Sequence, residues 1–400
     1  MEEINILKLD KKYWIAIICK VCVIATTFLI TIFINRGLGV SNKGEYSYIT
    51  RMIEMLYIFF DFGLGQTYST FKRSKGERIR GTFITLALIH GVGTLIIGTL
   101  LVKVIKMDYG NIIFFMTSIA VMKSIISMIS VIEDSIKRNI IISIINVLYV
   151  IALAIAYFCG KCTLPFVLML YALNDISTVI ILAVAYRLKP AIKSFKFVEL
   201  KQIYRIGFIT MMVVLLISIN YSIDTIMLRK MSSSYYVGIY SVGVNFSSMF
   251  LLIPDAFKEV LFGDSTKKDF SKRTVLNSIV VSIIALVIVF VCFVFFGKYV
   301  IELFYGSDYL PSYNITLILV IGSISMIFFK ILQPVYISHG KQTKAVVFLA
   351  LSAVLNIFAN WELIPKYNGV GAAIASALSY TLCGLLFLTD YLKHLSIKKS

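Results

Sequence analysis

The stretch SHGKQTKAVVFLALSAVLNIFANWELIPKYNGVGAAIASALSY, residues 338–380, holds an apolar run, a polar turn at IPKYN and a second apolar run opening on Gly, Ala and Ser. The first run approaches the roughly 20 residues that a helix needs to cross a hydrocarbon core of ~30 Å, and the second continues apolar to residue 392. Pro, Asn and Gly in the turn punctuate helices. Two membrane spans joined by a tight connection are the reading, and the rest of the chain repeats the pattern.

Across 400 residues, 59% are hydrophobic and 15% charged, with a mean hydropathy of +0.88. A soluble domain of this size needs far more charge on its surface. Twelve apolar stretches are expected to span the bilayer: 13–34, 46–69, 82–102, 111–132, 140–159, 165–186, 206–228, 237–257, 274–296, 313–334, 345–364 and 370–392. The leading MEEINILKLDKK lacks a small-residue cleavage site before the first span, so that span is expected to be retained. Most of the 39 lysines and arginines fall in the two tails and the even-to-odd loops, which places both termini in the cytoplasm. That topology, with attraction to anionic lipid, accounts for most of the net charge of +18. No basic soluble domain is present to bind nucleic acid. The pairs Cys19/Cys22 and Cys159/Cys162 have CxxC spacing, but their place within or at the end of spans favours packing over a metal site.

The segment RLKPAIKSFKFVELKQIYR, 187–205, separates two sets of six spans. Pro190 suits a first helical turn, and Ile192, Phe195 and Val198 alternate with lysines as in an amphipathic helix on the cytoplasmic surface. The expected organisation is a six-helix lobe over 1–186, this linker over 187–205, and a second six-helix lobe over 206–400. The halves repeat: GEYS at 44–47 and GIYS at 238–241 lie 194 residues apart. An even number of spans per half gives both repeats one orientation, related by a pseudo-twofold axis along the membrane normal.

Polar residues recur on single helical faces. The second span presents Ser47, Arg51, Glu54 and Asp61, and the eighth Ser241, Asn245, Ser248 and Asp255. The first carries Lys20, Thr27 and Thr31, and the fourth Lys123, Ser127 and Ser130. Asp175, Asp224, Lys330 and His90 add ionisable groups within other spans. A charge near the bilayer centre costs at least ~2.5–3.5 kcal/mol on insertion scales, so such residues face a bundle interior or an aqueous cavity. Arg51, Asp255 and Lys330 also lie close enough to span ends to snorkel, and Arg51 with Glu54 has the spacing of a structural i, i+3 pair. His90 could titrate near neutrality, but a lone His within a span more often finds a hydrogen-bond partner in the bundle. No phosphate loop and no soluble nucleotide-binding domain is present, and His90, His339 and His394 have no nucleophile in constellation. These features favour a secondary transporter over an enzyme.

The segment 338–380 also resembles the signature of polysaccharide flippases in the multidrug/oligosaccharidyl-lipid/polysaccharide (MOP) exporter superfamily: a Gly-Lys loop, an Asn-containing helix, LIP, a Lys-Tyr turn and a GAAIA-type run. NRGLGVSNKGEYSYITRMIEMLYIFFDFGLGQTYS, DTIMLRKMSSSYYVGIYSV and ELFYGSDYLPSYNITLIL are similar to three further parts of that pattern. The triplet Asn360, Trp361, Glu362 departs from it, which bears on where the eleventh span ends. The resemblance implies two six-helix lobes around a central cavity that opens to either side in turn. Its implied substrate is an undecaprenyl-pyrophosphate-linked oligosaccharide, flipped for surface assembly in the cytoplasmic membrane of a bacterium, alongside membrane lipids and other assembly proteins. On that reading Lys20, Arg51, Glu54, Lys123, Asn245, Ser248 and Lys330 are the candidates for the substrate cavity. Asp61, His90, Asp175, Asp224 and Asp255 are those for coupling to H+ or Na+, with no other cofactor. A drug or metabolite antiporter of the same superfamily and a membrane enzyme of polysaccharide biosynthesis are the alternatives.

Overall fold

The computed structural model describes residues 11–76, 78–191, 197–264, 272–339 and 341–395. Eleven α-helices account for nearly all of them, with no strand among the described residues. In chain order they are α1 (Lys11–Asp61), α2 (Leu64–Lys75), α3 (Arg78–Ile105), α4 (Gly110–Phe158), α5 (Leu164–Ala185), α6 (Phe197–Met231), α7 (Ser234–Met249), α8 (Leu252–Asp264), α9 (Lys272–Tyr305), α10 (Ser312–Ser338) and α11 (Gln342–Asp390). Eight helical stretches are long and apolar enough to cross a membrane, or nine if α7 and α8, bent by 51°, form one. Their outer faces carry Phe158, Phe295, Ile288 and Leu148 exposed, as lipid-facing surfaces should. The chain is an all-α polytopic membrane protein.

Helices α1, α4 and α11 contain 51, 49 and 49 residues. At 1.5 Å per residue each would extend over ~70 Å if straight, more than twice the hydrocarbon thickness. Each is broken at one residue. Gly39 sits at φ 68°, where a side chain is unfavourable. Asp134 is extended, and its Oδ1 accepts the Lys137 N–H at 3.0 Å, capping the helix that follows. Asn368, at φ 50°, accepts the Ser232 hydroxyl at 2.6 Å. The loops expected over 35–45 and 133–139 are therefore helical apart from one residue each. The segment expected to end at 364 instead runs through Pro365 to the break at Asn368, with Asn360 buried and Trp361 exposed. Ile192 and Phe195 of the expected amphipathic linker lie outside the described residues, and α6 starts at Phe197.

The chain folds into two compact units, neither of them continuous in sequence: residues 1–38 with 52–215, and 39–51 with 216–400. The first is centred on Leu64, Tyr68, Phe83, Val121, Ile125 and Ile203, contributed by α2, α3, α4 and α6. In the second, α10 and α11 pack closely through small residues: a side chain at Gly384 would strike the Ser325 carbonyl, and one at Gly322 would strike Ala377. Ala372, Ala373, Ala375 and Ser376 are fully buried. This close approach is what the Gly-Ala-Ser run at the head of the last span permits.

The same unit contains a crossing that reproduces the sequence repeat. A Cβ on Gly44 would collide with the Ser234 carbonyl, and one on Gly238 with the Val40 carbonyl. The 194-residue shift relates Gly44 to Gly238 and Val40 to Ser234, so each repeat offers its glycine to the equivalent carbonyl of the other. The Arg229–Glu45 ion pair, 2.8 Å, closes beside it. Gly44→Val should lower stability by ~2 kcal/mol or more through overpacking against backbone. Gly93→Ala, at a helical glycine with nothing within 4 Å, should leave the detergent melting temperature level or slightly raised. Equal melting temperatures for the two variants would remove the crossing as a constraint.

Candidate functional site

A cavity of about 350 Å³ lies within the first unit, lined by Ile53, Glu54 and Tyr57 of α1, by residues of α4 from Ala120 to Arg138, and by Tyr171 and Asp175 of α5. Lys123 and Ser127, one turn apart on α4, line it together with Ser124; Ser130, the third member of the stripe in the sequence, is buried and donates to the Ile126 carbonyl instead. Lys123 forms an ion pair with Asp175, whose carboxylate is buried while the ammonium remains about a third exposed. Arg138 enters from beyond the Asp134 break. Its Nε and Nη2 donate to Ser127 Oγ at 3.0 and 2.7 Å, and Nη1 donates to Asn139 Oδ1 at 3.0 Å. All its partners are neutral: among the described residues no carboxylate pairs with it. Arg138 is not among the sequence candidates, because in the expected inner loop 133–139 it is one topogenic charge among several. Only the turn at Asp134 brings it back to Ser127.

The structure thus gathers Glu54, Lys123 and Asp175 around one cavity, with Ile53, Tyr57 and Arg138. Asp61 and His90, in the same unit, attend a helix break nearby. Asp61 Oδ2 accepts the Gly65 N–H at 3.4 Å, and His90 Nδ1 lies 2.6 Å from the Phe60 carbonyl. Lys20 falls within α1, but its side chain lies outside the described residues.

The remaining candidates belong to the second unit. Lys330 and Asp255 pair at 2.5 Å, with the ammonium 5.9 Å from the Tyr221 ring. Asp224, 1% exposed, accepts the Tyr240 hydroxyl, the Ser376 hydroxyl at 2.8 Å and the Thr225 N–H at 2.6 Å. A second buried set follows one turn away: Asn220 Oδ1 accepts from Ser352 and Ser379 at 2.6 and 2.9 Å. Arg51 lies close enough to act electrostatically on Asp224. Asn245 and Ser248 are joined through the Ser248 hydroxyl, which donates to the Asn245 carbonyl at 2.7 Å. Asn220, Tyr240 and Ser376 carry no signal in the sequence, since each is a common residue type whose role depends on its tertiary partners. All six cysteines are free, and no group of three or more His, Cys, Asp or Glu among the described residues is arranged to hold a metal.

The profile of the polysaccharide biosynthesis protein family matches residues 11–262, well over half of the chain. The chain belongs to this family. No curated protein sequence matches it. Among solved structures it is similar to the lipid II flippase MurJ in an inward closed conformation, with TM-score 0.76 and 13% identity over 94% of this chain and 87% of that one. An inward-facing multidrug resistance MATE family transporter of the MOP superfamily matches with TM-score 0.71 and 13% identity, covering 94% and 96%. A MOP superfamily transporter from Pyrococcus furiosus matches with TM-score 0.64 and 14% identity, covering 100% and 99%. The fold is that of MOP-superfamily flippases and transporters.

The Lys123–Asp175 pair gives a direct test of the cavity's electrostatics. Asp175→Asn and Lys123→Met should each destabilise the protein, and the double variant should cost less than their sum. The expected coupling is ~1–3 kcal/mol in a double-mutant cycle, limited by the partial exposure of the ammonium. Additive losses in thermal unfolding would show the pair to be energetically idle.

Proposed function

We propose that this protein flips undecaprenyl-pyrophosphate-linked oligosaccharide repeat units from the cytoplasmic to the outer leaflet for surface polysaccharide assembly, by alternating access. The observation that carries the reading is the cavity of the first unit, where the Arg138 guanidinium has only neutral partners and Lys123 stands nearby. Carrying a pyrophosphate through hydrocarbon requires replacement of its hydration, and guanidinium and ammonium groups provide the strongest charge-assisted hydrogen bonds for that. Family membership and the likeness to a lipid II flippase support a lipid-linked substrate. Arg51 and Lys330, and Lys20 by its sequence position, are the further cations of the proposed path. The Ser, Thr and Asn stripes, with Asn245 and Ser248, contact sugar.

Nine apolar helices, three of them broken once, make twelve segments, and we take these as twelve spans with both termini cytoplasmic. The lobes 1–186 and 206–400 are the proposed moving bodies, in the cytoplasmic membrane of a bacterium. Transport is secondary, with H+ or Na+ coupled through Asp61, His90, Asp175, Asp224 or Asp255, and no bond of the substrate is made or broken. Glu54 and Asp175 in the same cavity, with the MATE likeness, favour a cation antiporter as the second reading. An enzyme of the glycan pathway differs from both in altering glycan length or decoration.

Deleting the gene should leave complete undecaprenyl-linked repeat units accumulated on the inner leaflet, with surface polymer lost, by mass spectrometry of extracted lipids and leaflet-specific labelling. Re-expressed Arg138→Ala, Lys123→Ala or Arg51→Ala should fail to restore polymer at normal protein abundance. Full restoration by all three would remove the anion path. Unchanged lipid intermediates and polymer on deletion would favour the antiporter.

A further inference from the structure

Helix α1 ends at Asp61 and α2 begins at Leu64, with Phe62 and Gly63 both at positive φ. Such a break frees carbonyls on one side and N–H groups on the other. The freed Phe60 carbonyl is taken by His90 Nδ1 at 2.6 Å, and His90 Nε2 meets the Tyr204 hydroxyl at 2.9 Å. The bend itself is clasped by α6, where a Cβ on Gly207 would meet the Phe62 carbonyl at 2.5 Å. On the other side Asp61 Oδ2 accepts from the Gly65 N–H at 3.4 Å, and the Ser124 hydroxyl and the Gly63 and Leu64 N–H groups also face the carboxylate.

Two oxygens remain. Asp61 Oδ1 and Gln66 Oε1 are buried acceptors without a donor, and both residues line one cavity of about 10 Å³, closed by Met211 and Val214 of α6. That is room for a single water-sized guest. Asp61 is 2% exposed. The other buried carboxylates are otherwise provided for: Asp175 pairs with Lys123, Glu199 with Arg78, and Asp224 receives three hydroxyls and an N–H. Asp61 has no basic side chain in ion-pair reach among the described residues, and the N-terminus of α2 offsets only about half a charge. A water, or a turned Gln66 amide, supplies a donor but leaves the charge. Either a proton on Asp61 or a hard monovalent cation held between the two oxygens removes it, and of the two only the cation makes stability depend on Na+.

We infer that Asp61 and Gln66 form a Na+ site at the α1–α2 break. It adjoins the larger cavity, since Tyr57 lines both and Ser124, which faces Asp61, lines the larger one. Its use in transport rests on the secondary-transporter reading above, but its occupancy does not. The site holds the cation between the carboxylate and the amide oxygen, so that loading stiffens the break on which Glu54 and Tyr57 are carried.

The test is thermal unfolding of the purified protein in detergent, titrated with NaCl against choline chloride at constant pH and ionic strength. Wild type should gain ~3 °C or more, saturating with Na+ and absent with choline. Asp61→Asn should lose the increment. Gln66→Leu, which leaves the Asp61 cap of α2 intact, should raise the half-saturating Na+ concentration about tenfold, a loss of ~1.4 kcal/mol. Equal midpoints in both salts for wild type, or an unchanged Na+ response in either variant, would overturn the site. No glycolipid is present in this assay, so its failure leaves the flippase reading standing, and a failed export assay leaves the cation site standing.

Discussion

Each polar group carried into the bundle must find its partner there, because lipid offers none. That constraint organises the structure more than any single contact does. Asp175 and Asp255 are matched by lysines, Asp224 by hydroxyls and an N–H, and Glu45 by Arg229. Lone hydroxyls such as Thr27, Thr117 and Ser130 return to carbonyls of their own helices. Among the described groups near the larger cavity, Arg138 is a cation with neutral partners and Asp61 a carboxylate with no basic partner and an unsatisfied oxygen. Both lie in the first unit, close to the cavity that Tyr57 and Ser124 border.

The same constraint governs the backbone. A helix too long for the bilayer has to break, and each break exposes N–H and C=O groups that need partners. Asp134 caps its own successor, Asn368 is tied to Ser232, and Asp61 and His90 divide the two sides of the α1–α2 break between them. Asp61 therefore has a structural task that sequence alone does not suggest, while His90 takes the hydrogen-bonded place in the bundle that its sequence position allows. For Asp61 the task uses one carboxylate oxygen and leaves the other over. In the proposed cation site the structural and ion-binding tasks fall to different atoms of one side chain.

The features legible in the sequence are those with a one-dimensional signature. Apolar run length, the 194-residue repeat and the small-residue run at 369–377 are such patterns, and each reappears as a helix, a reciprocal glycine crossing or a close α10–α11 approach. Polar stripes also locate Glu54, Lys123 and Asp175, which meet around one cavity. Pairing is not legible, because Lys123 and Asp175 are 52 residues apart and nothing in either helix specifies the other. Nor is the length of a break: glycine, aspartate and asparagine mark turns in sequence, but not that a single residue suffices when capping or left-handed geometry completes it. Arg138 is hidden by its company, one basic residue in a segment whose positive charge is explained by topology.

The charges around the larger cavity bear on how an anion would be received. Glu54, Lys123, Arg138 and Asp175 are its ionisable acids and bases, two of each sign, so the empty cavity is near neutrality. The pyrophosphate diester of the proposed substrate would bring about two negative charges into this space. It can form its bonds to Arg138 at once, since only neutral groups must yield. To reach Lys123 it must displace Asp175, whose freed carboxylate then lies in a buried site without a counter-charge. Binding at the lysine is therefore inseparable from the fate of the aspartate, which then needs a new partner. In the proposed cycle that exchange within α4 and α5 would couple substrate to an ion, with no signal relayed across the molecule.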